Sequence, residues 1–348
     1  MRTTVNSFKT CYTVLILTLQ LLPQSPSFDQ AMQLFRQSHW AEAAAAFSEC
    51  DKADPGKTAA LLYRGKSLLN LGQLQDASAA IENYRQAHPR SDDAAYLLAY
   101  IRFRQNEPKE SLQLFADAAR LKDPTADDLK IIALNYVLLS DYDDAAHYLE
   151  QSLAMDPENV EARYHLGRVR YQQNRFQLAI AAFEEVLRRD PNHVKAEDNL
   201  GLSLEAVNQV DAAIAAYRKA IALDEQLSAH TEQPYLNLGT LLAKSDHAEE
   251  AIPLLTRSVV IAPASGKAHY QLAKAYFALN RFEDARGEAE KAVSADPHDS
   301  SSHYILGRIY QRAGKGNLAR EQFRITEQLI QAKSASPGNG MASGTSQH

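Results

Sequence analysis

Apolar residues in this chain recur at spacings of three and four, in pairs of runs separated by a short polar stretch. The segment "VEARYHLGRVRYQQNRFQLAIAAFEEVLRRDPNH" (160–193) shows the arrangement once. It has two apolar-periodic runs, a polar hinge at Asn174 and Arg175, and a stop at Asp190-Pro191. Spacing of this kind places the apolar side chains on one face of a helix, so each segment predicts two amphipathic helices. The closing proline cannot continue a helix and biases its predecessor out of the α region. A unit of this size cannot bury enough surface to fold alone. It requires neighbours of the same kind.

The neighbours are found by sliding the segment along the chain. In steps of 34, units begin near residues 24, 58, 92, 126, 160 and 194; after an insert, "SAHT" (228–231), they resume near 232, 266 and 300. One column holds only Ala or Gly: Ala31, Gly65, Ala99, Ala133, Gly167, Gly201, Gly239, Ala273, Gly307. Twelve residues on lies a second small column: Ala43, Ala77, Ser111, Ala145, Ala179, Ala213, Ala251, Ala285, Ala319. Four further on the residue is large and apolar in Phe47, Ile81, Phe115, Leu149, Phe183, Tyr217, Leu255 and Phe323, with Ala289 the exception. Most units close on proline, at 55, 89, 124 (one place late), 157, 191, 263 and 297; the sixth has Glu225 instead. Small residues on two facing helices let the backbones approach, and the large residue one turn later fills the space beside them. Stacking then buries what a single unit leaves open.

These columns resemble the tetratricopeptide repeat (TPR) family over residues 24–333, with "YHLGRVRYQQNRFQLAIAAFEEVLRRDP" (164–191) carrying the motif's small, aromatic and proline positions. The resemblance implies an all-α, right-handed superhelical solenoid of about nine helix-turn-helix repeats whose first helices line a concave groove. The expected organisation is repeats one to six over 24–227, the insert 228–231, repeats seven to nine over 232–333 continuing the same solenoid, and a disordered tail over 334–348. Pro253, inside a second helix, is expected to kink it.

The first 27 residues depart from the period. Arg2 and Lys9 precede the apolar run "CYTVLILTLQLL" (11–22), which has the length of a signal-peptide core and is short of the ~20 residues a membrane-spanning helix needs. Ser25 and Ser27 suit a cut ahead of Phe28. The reading is export to a periplasmic or extracellular space, with an uncleaved anchor through 11–22 as the alternative. Two cysteines, Cys11 and Cys50, exclude a disulfide framework in a chain lacking residue 11.

Candidate chemistry mostly dissolves into the repeat. "DPGKT" (54–58) ends like a phosphate loop, but Asp51 stands where its first glycine belongs and no strand precedes it. His269 and His303 occupy equivalent positions in adjacent repeats without further clustered ligands, which makes a poor metal site. Cys50 shares a column with Tyr84, Ala118, Ser152, Val186 and Ala220, as a packing residue would. With every ordered stretch used by repeats, no catalytic residue, metal or cofactor is expected, and the chain is read as a non-enzyme.

Charge changes the picture of the groove. The whole chain carries 37 Lys and Arg against 43 Asp and Glu, a net charge of -6, which disfavours nucleic acid as a partner. The positions that the TPR resemblance turns inward run the other way. They hold Arg36, Lys66, Arg104, Lys130, Arg168, Lys195, Lys244, Lys267, Lys274, Arg308 and Arg312 against Asp29, Asp93, Asp127, Glu161, Asp198 and Glu205. A tyrosine column, Tyr96, Tyr164, Tyr270 and Tyr304, joins them, its rings either facing a ligand or packing between first helices. A basic, aromatic groove would hold an extended acidic protein segment, with Tyr164, Arg168, Lys267, Tyr270, Lys274, Tyr304 and Arg308 as its contacts. An anionic polysaccharide in an export or assembly complex is the alternative ligand, and self-association through the terminal repeats a third reading. Some TPR proteins grip a terminal carboxylate with a Lys-Asn-Asn-Lys-Arg clamp; here Asn237 and Lys267 fall at promising places, but Asp198 stands where the first lysine should be.

Overall fold

The computed structural model describes residues 27–54, 58–228 and 230–335. The expected export signal up to residue 26, most of "DPGKT" and the tail beyond Ala335 lie outside them. The described residues form eighteen α-helices and no strand, in two compact units that divide at Pro124/Thr125. The first unit holds α1 (Phe28–Arg36), α2 (Trp40–Ala53), α3 (Ala59–Asn70), α4 (Leu74–Ala87), α5 (Asp92–Arg104) and α6 (Pro108–Ala119). The second begins with α7 (Ala126–Leu138), α8 (Tyr142–Met155), α9 (Val160–Gln172), α10 (Phe176–Arg189), α11 (Val194–Ala206) and α12 (Val210–Leu227). It continues with α13 (Gln233–Lys244), α14 (Ala248–Ile261), α15 (Gly266–Ala278), α16 (Phe282–Ala295), α17 (Ser300–Arg312) and α18 (Gly316–Ala335).

Each repeat is one pair of antiparallel helices, and its core is the contact the small columns predict. The Ser111 hydroxyl donates to the Ala99 carbonyl across the helix pair at 2.8 Å, so the two small columns do face each other. The large residue of the same repeat closes the gap: a Cβ at Gly167 would lie 2.7 Å from the Phe183 ring, and one at Gly201 2.6 Å from the Tyr217 ring. Phe47, Ile81, Phe115, Leu149, Phe183, Tyr217 and Leu255 are all buried at this joint.

The turn inside each repeat rests on a column that the apolar pattern does not mark. Ser38, Asn106, Ser140, Asn174, Asn208, Asp246 and Asn280 all adopt positive φ, as do Gly72 and Gly314, one per repeat. This left-handed residue ends the first helix. In repeat five Arg175 N–H donates to the Arg170 carbonyl (2.8 Å) and Asn174 N–H to that of Tyr171 (2.9 Å). Asn, Asp and Gly pay least for that conformation. First helices open on side-chain caps: Ser27, Ser91, Thr125, Asn159, Ser265 and Asp299 each accept a backbone N–H of the first turn.

Three details add to the sequence-based picture. Lacking a proline at Glu225, α12 runs on to Leu227, one turn longer than α10, and the described insert residues Ser228, His230 and Thr231 follow it outside any helix. Pro253 is exposed and lies inside α14, whose 14-residue span equals that of α10. The last helix runs to Ala335, two residues past the expected start of the tail.

Replacing Gly167 by Val should cost about 2–3 kcal/mol through overpacking against Phe183. Alanine there should cost less, since its helix propensity returns about 1 kcal/mol. Urea midpoints of the two variants against the parent protein measure this, and equal midpoints would refute the small-against-large account of the repeat core.

Candidate functional site

Contacts between helices identify the inner face of the second unit. Along the row α9, α11, α13, α15 and α17, each first helix touches the next first helix, while no second helix makes a comparable contact with the next second helix. Helices converge on the inside of a curve, so the first helices line the concave side. Each second helix packs instead on its own partner and on the first helix that follows.

A cavity of about 360 Å³ opens on that side, lined by Tyr171, Leu202, Glu205, Ala206, Asn237, Thr240, Lys244, Lys267 and Gln271. Every one of these residues stands at a position that the repeat pattern assigns to the groove. Its lining combines Tyr171, Leu202 and Ala206 with amide, hydroxyl and charged groups. Glu205 accepts from Lys244 Nζ (3.0 Å) and from the Tyr217 hydroxyl (3.2 Å), which ties α11, α12 and α13 together. Burial and the charge of Glu205 push the Tyr217 phenol well above its ordinary range. Asn237 Nδ2 donates to both carboxylate oxygens of buried Asp198, at 2.9 and 3.1 Å. Burial drives the Asp198 carboxyl up to about 6, against the opposing effects of Asn237 and Lys267. The Thr240 hydroxyl is buried without a hydrogen-bond partner.

The cations of the groove separate into two groups. In the first unit Lys66 is paired with Asp93 at 2.6 Å, and in the second Lys130 is paired with Asp127 at 2.8 Å and Lys244 with Glu205. Those charges are spent. Lys267 and Lys274 on α15, and Arg308 and Arg312 on α17, are exposed and have no acidic side chain within 4.0 Å among the described residues. Lys274 Nζ lies 5.4 Å from the Tyr270 ring centre, and the Arg308 guanidinium 4.8 Å from that of Phe277. Arg36, Arg104, Arg168 and Lys195 also lack an acidic partner among the described residues, one on each of four first helices, whereas α15 and α17 carry two such cations each.

The tyrosine column does not act as one surface. Tyr164 is buried, its ring 6.0 Å from Phe183 and 4.9 Å from His193 of the next repeat, and its hydroxyl accepts from Asn199 Nδ2 at 3.4 Å. This corrects its assignment as a ligand contact: the following repeat covers it. Arg168 remains exposed above that ring, at 5.9 Å. Tyr270 is half-buried, and Tyr304, with no first helix after α17 among the described residues, is 50% exposed.

His269 and His303 have parallel structural roles. Each ring bonds at Nδ1 to its second helix, Glu288 (2.5 Å) or Gln322 (2.7 Å). At Nε2 it meets the preceding loop carbonyl of Pro263 (3.0 Å) or Pro297 (3.1 Å). Both nitrogens of both rings are thereby engaged within the fold. Cys50 is half-buried against the Phe28, Phe35 and Tyr63 cluster, and burial pushes its thiol up. No described helix is long and apolar enough to cross a membrane.

Three sequence profiles of tetratricopeptide repeats match the chain. One covers residues 28–77, 62–126 and 132–194, a second 241–309 and a third 198–227. The chain belongs to the tetratricopeptide repeat family. A DnaJ homolog subfamily C member 7 homolog of Dictyostelium discoideum is 28% identical over 199 residues, 54% of this chain and 37% of that relative's length. Among solved structures, yeast Tom70 superimposes with a TM-score of 0.55 at 21% identity, covering 86% of this chain and 62% of that one. A chain of the APC/C hetero-tetramer Cut9–Hcn1 gives 0.58 at 15% identity, covering 80% of this chain and 54% of that one. At these identities the structures establish a shared TPR fold.

Asp198 makes the protein's stability depend on pH in a direction opposite to that of most carboxylates. Its folded value of about 6 lies above the ~3.9 of an unfolded aspartate. The folded state thus holds the proton more tightly, and stability falls as pH rises from about 4 to about 6. The change is on the order of 3 kcal/mol. Asp198→Asn should flatten the stability profile across this window and leave the variant the more stable form at pH 7.5. Denaturation at pH 4, 5, 6 and 7.5 measures it, and parallel profiles would contradict the burial of an ionised Asp198.

Proposed function

We propose that this TPR protein is a non-catalytic interaction scaffold that holds an extended, acidic protein segment in the groove of its second unit. The observation that carries this reading is the set of un-neutralised cations on α15 and α17, on a chain whose net charge is -6. Lys66, Lys130 and Lys244 have acids beside them; Lys267, Lys274, Arg308 and Arg312 keep their charge for a ligand, and α15 and α17 are the first helices that carry two such cations each. A cationic concavity on an acidic protein concentrates potential on anionic groups and steers their approach. The groove is also preorganised. Its side chains stand on helices fixed by the repeat core, so little ordering cost falls on the scaffold when a ligand docks. Tyr270 and Tyr304 add apolar area with a polar tip beside the cations.

The test is an array of acidic decapeptides, followed by fluorescence anisotropy of the tightest binder at low and high salt. Replacing Lys267, Lys274 and Arg308 together by alanine should weaken binding at low salt by about 10- to 100-fold and flatten its salt dependence. Equal affinity would overturn the reading. An anionic polysaccharide that binds on a glycan array, where no peptide does, would replace a protein ligand by a sugar one.

The proposal includes action outside the cytoplasm, which rests on the apolar run 11–22 and the small residues before Phe28. N-terminal sequencing of protein from native cells should read from Phe28. A chain that keeps Met1 in a soluble cytoplasmic fraction would remove this part.

A further inference from the structure

The groove contains one carboxylate that the fold buries without a cation in contact. Asp198 is 5% exposed, in a column that in other repeats holds Tyr164, Leu236, Tyr270 and Tyr304. Its side chain bonds to a single group among the described residues, the amide of Asn237. Lys267 on α15 favours the ionised form from a distance, and no salt bridge joins them. Around it, Tyr164 of α9 and Tyr217 of α12 feel its charge, Lys195 is exposed on its own helix, and Glu205 is engaged by Lys244 and Tyr217.

An amide has two different ends. An ionised carboxylate only accepts hydrogen bonds, so Asp198 can hold only the NH₂ end of Asn237. Asn237 also lines the 360 Å³ cavity, beside the unpartnered Thr240 hydroxyl, Lys267 and Gln271. Both carboxylate oxygens share the NH₂ end of Asn237, which fixes the amide's orientation and leaves its carbonyl as the acceptor it can offer the cavity. The cavity then offers an acceptor, a hydroxyl, an amide and a cation. This set complements a group that both donates and accepts, such as a peptide unit or a side-chain carboxamide. A carboxylate would meet the Asn237 carbonyl lone pairs with the Asp198 charge behind them.

Building on the groove reading above, we propose that Asp198 is a positioning residue. It fixes the amide of Asn237 so that this subsite selects a peptide or carboxamide group of the bound segment, and it gives up that selection on protonation. Once protonated, Asp198 carries an O–H and can donate to the Asn237 carbonyl, which frees the amide to turn its NH₂ toward the cavity. The same Asp198 value of about 6 places this change between pH 5 and 7. Two histidines lie near. His165 is pushed down to about 4, chiefly by burial, and stays neutral over that range, whereas the ring of His193 packs on Tyr164. His193 is therefore the group a control must exclude.

Two measurements on the full chain test the proposal. In protein labelled with ¹⁵N-asparagine, the Asn237 side-chain resonances, assigned by their loss in Asn237→Ser, should titrate with a midpoint near pH 6, and this titration should vanish in Asp198→Asn. In parallel, the tightest decapeptide from the acidic array should bind the parent protein about tenfold more tightly at pH 7.5 than at pH 5. Binding should be flat with pH in Asp198→Asn and in Asp198→Leu, the second chosen because Leu62 and Leu236 occupy this column in other repeats. His193→Gln should keep the parent's pH dependence. An Asn237 signal that does not move between pH 5 and 7.5, or a pH dependence that survives in both Asp198 variants, overturns the proposal. Should no decapeptide bind at all, the groove reading and the ligand selection fall together, and the resonance titration alone judges whether Asp198 holds Asn237.

Discussion

Everything in this protein depends on how closely two helices approach within one repeat. The approach is set by a Gly or Ala on the first helix, a small residue on the second, and a bulky side chain that closes over both. At Gly167 and Gly201 the aromatic ring fills the place where a Cβ would be. Such a joint has little slack, because protein interiors are packed as densely as organic crystals. It therefore fixes the angle and spacing of the pair, and with them the direction in which each first helix presents its remaining faces. One face goes to the joint, another to the second helix of the preceding repeat, and what is left is the groove. Ala273 and Ala289 show that the joint can also be made with two small residues, both fully buried.

The groove inherits its chemistry from this geometry. First helices that converge bring side chains from successive repeats within reach, so ion pairs form between residues far apart in the chain. Lys66 meets Asp93 across 27 residues, and Lys244 meets Glu205 across 39. These exposed pairs contribute little to stability, about 1 kcal/mol or less each. Their consequence is electrostatic: they and the Lys130–Asp127 pair neutralise Lys66, Lys130 and Lys244, while α15 and α17 each keep two cations without an acidic partner. A count of basic residues overstates the groove, and its pairing shows where the charge remains.

This divides what the sequence reveals from what it conceals. The small and large columns are legible because each recurs nearly unchanged in every repeat, and a recurrence of that kind has no other physical cause. The groove positions follow from helical spacing, and the residues lining the 360 Å³ cavity all fall among them. The left-handed turn column is harder to see, since Asn, Ser, Asp and Gly share only a backbone conformation. The shift of register at 228–231 does not say how far the preceding helix runs; without a proline at Glu225, α12 reaches Leu227. Tyr164 and Tyr304 show the limit most clearly. They are the same residue in the same column, one buried and one half exposed. The difference lies in whether another first helix follows, which no local pattern contains.

Asp198 is the position where local pattern and fold disagree, and the disagreement is informative. Its column is otherwise largely aromatic or aliphatic, and burying a carboxylate there costs stability that a leucine would not. The single donor Asp198 holds, Asn237, stands in the wall of the cavity together with Lys267. The buried negative charge thus lies on the α11 side of the cavity, and the cations of α15 and α17 lie on the other. A ligand carboxylate placed over Asp198 would be repelled and one placed over Lys267 or Lys274 attracted, so this one residue gives the cavity a polarity as well as a charge.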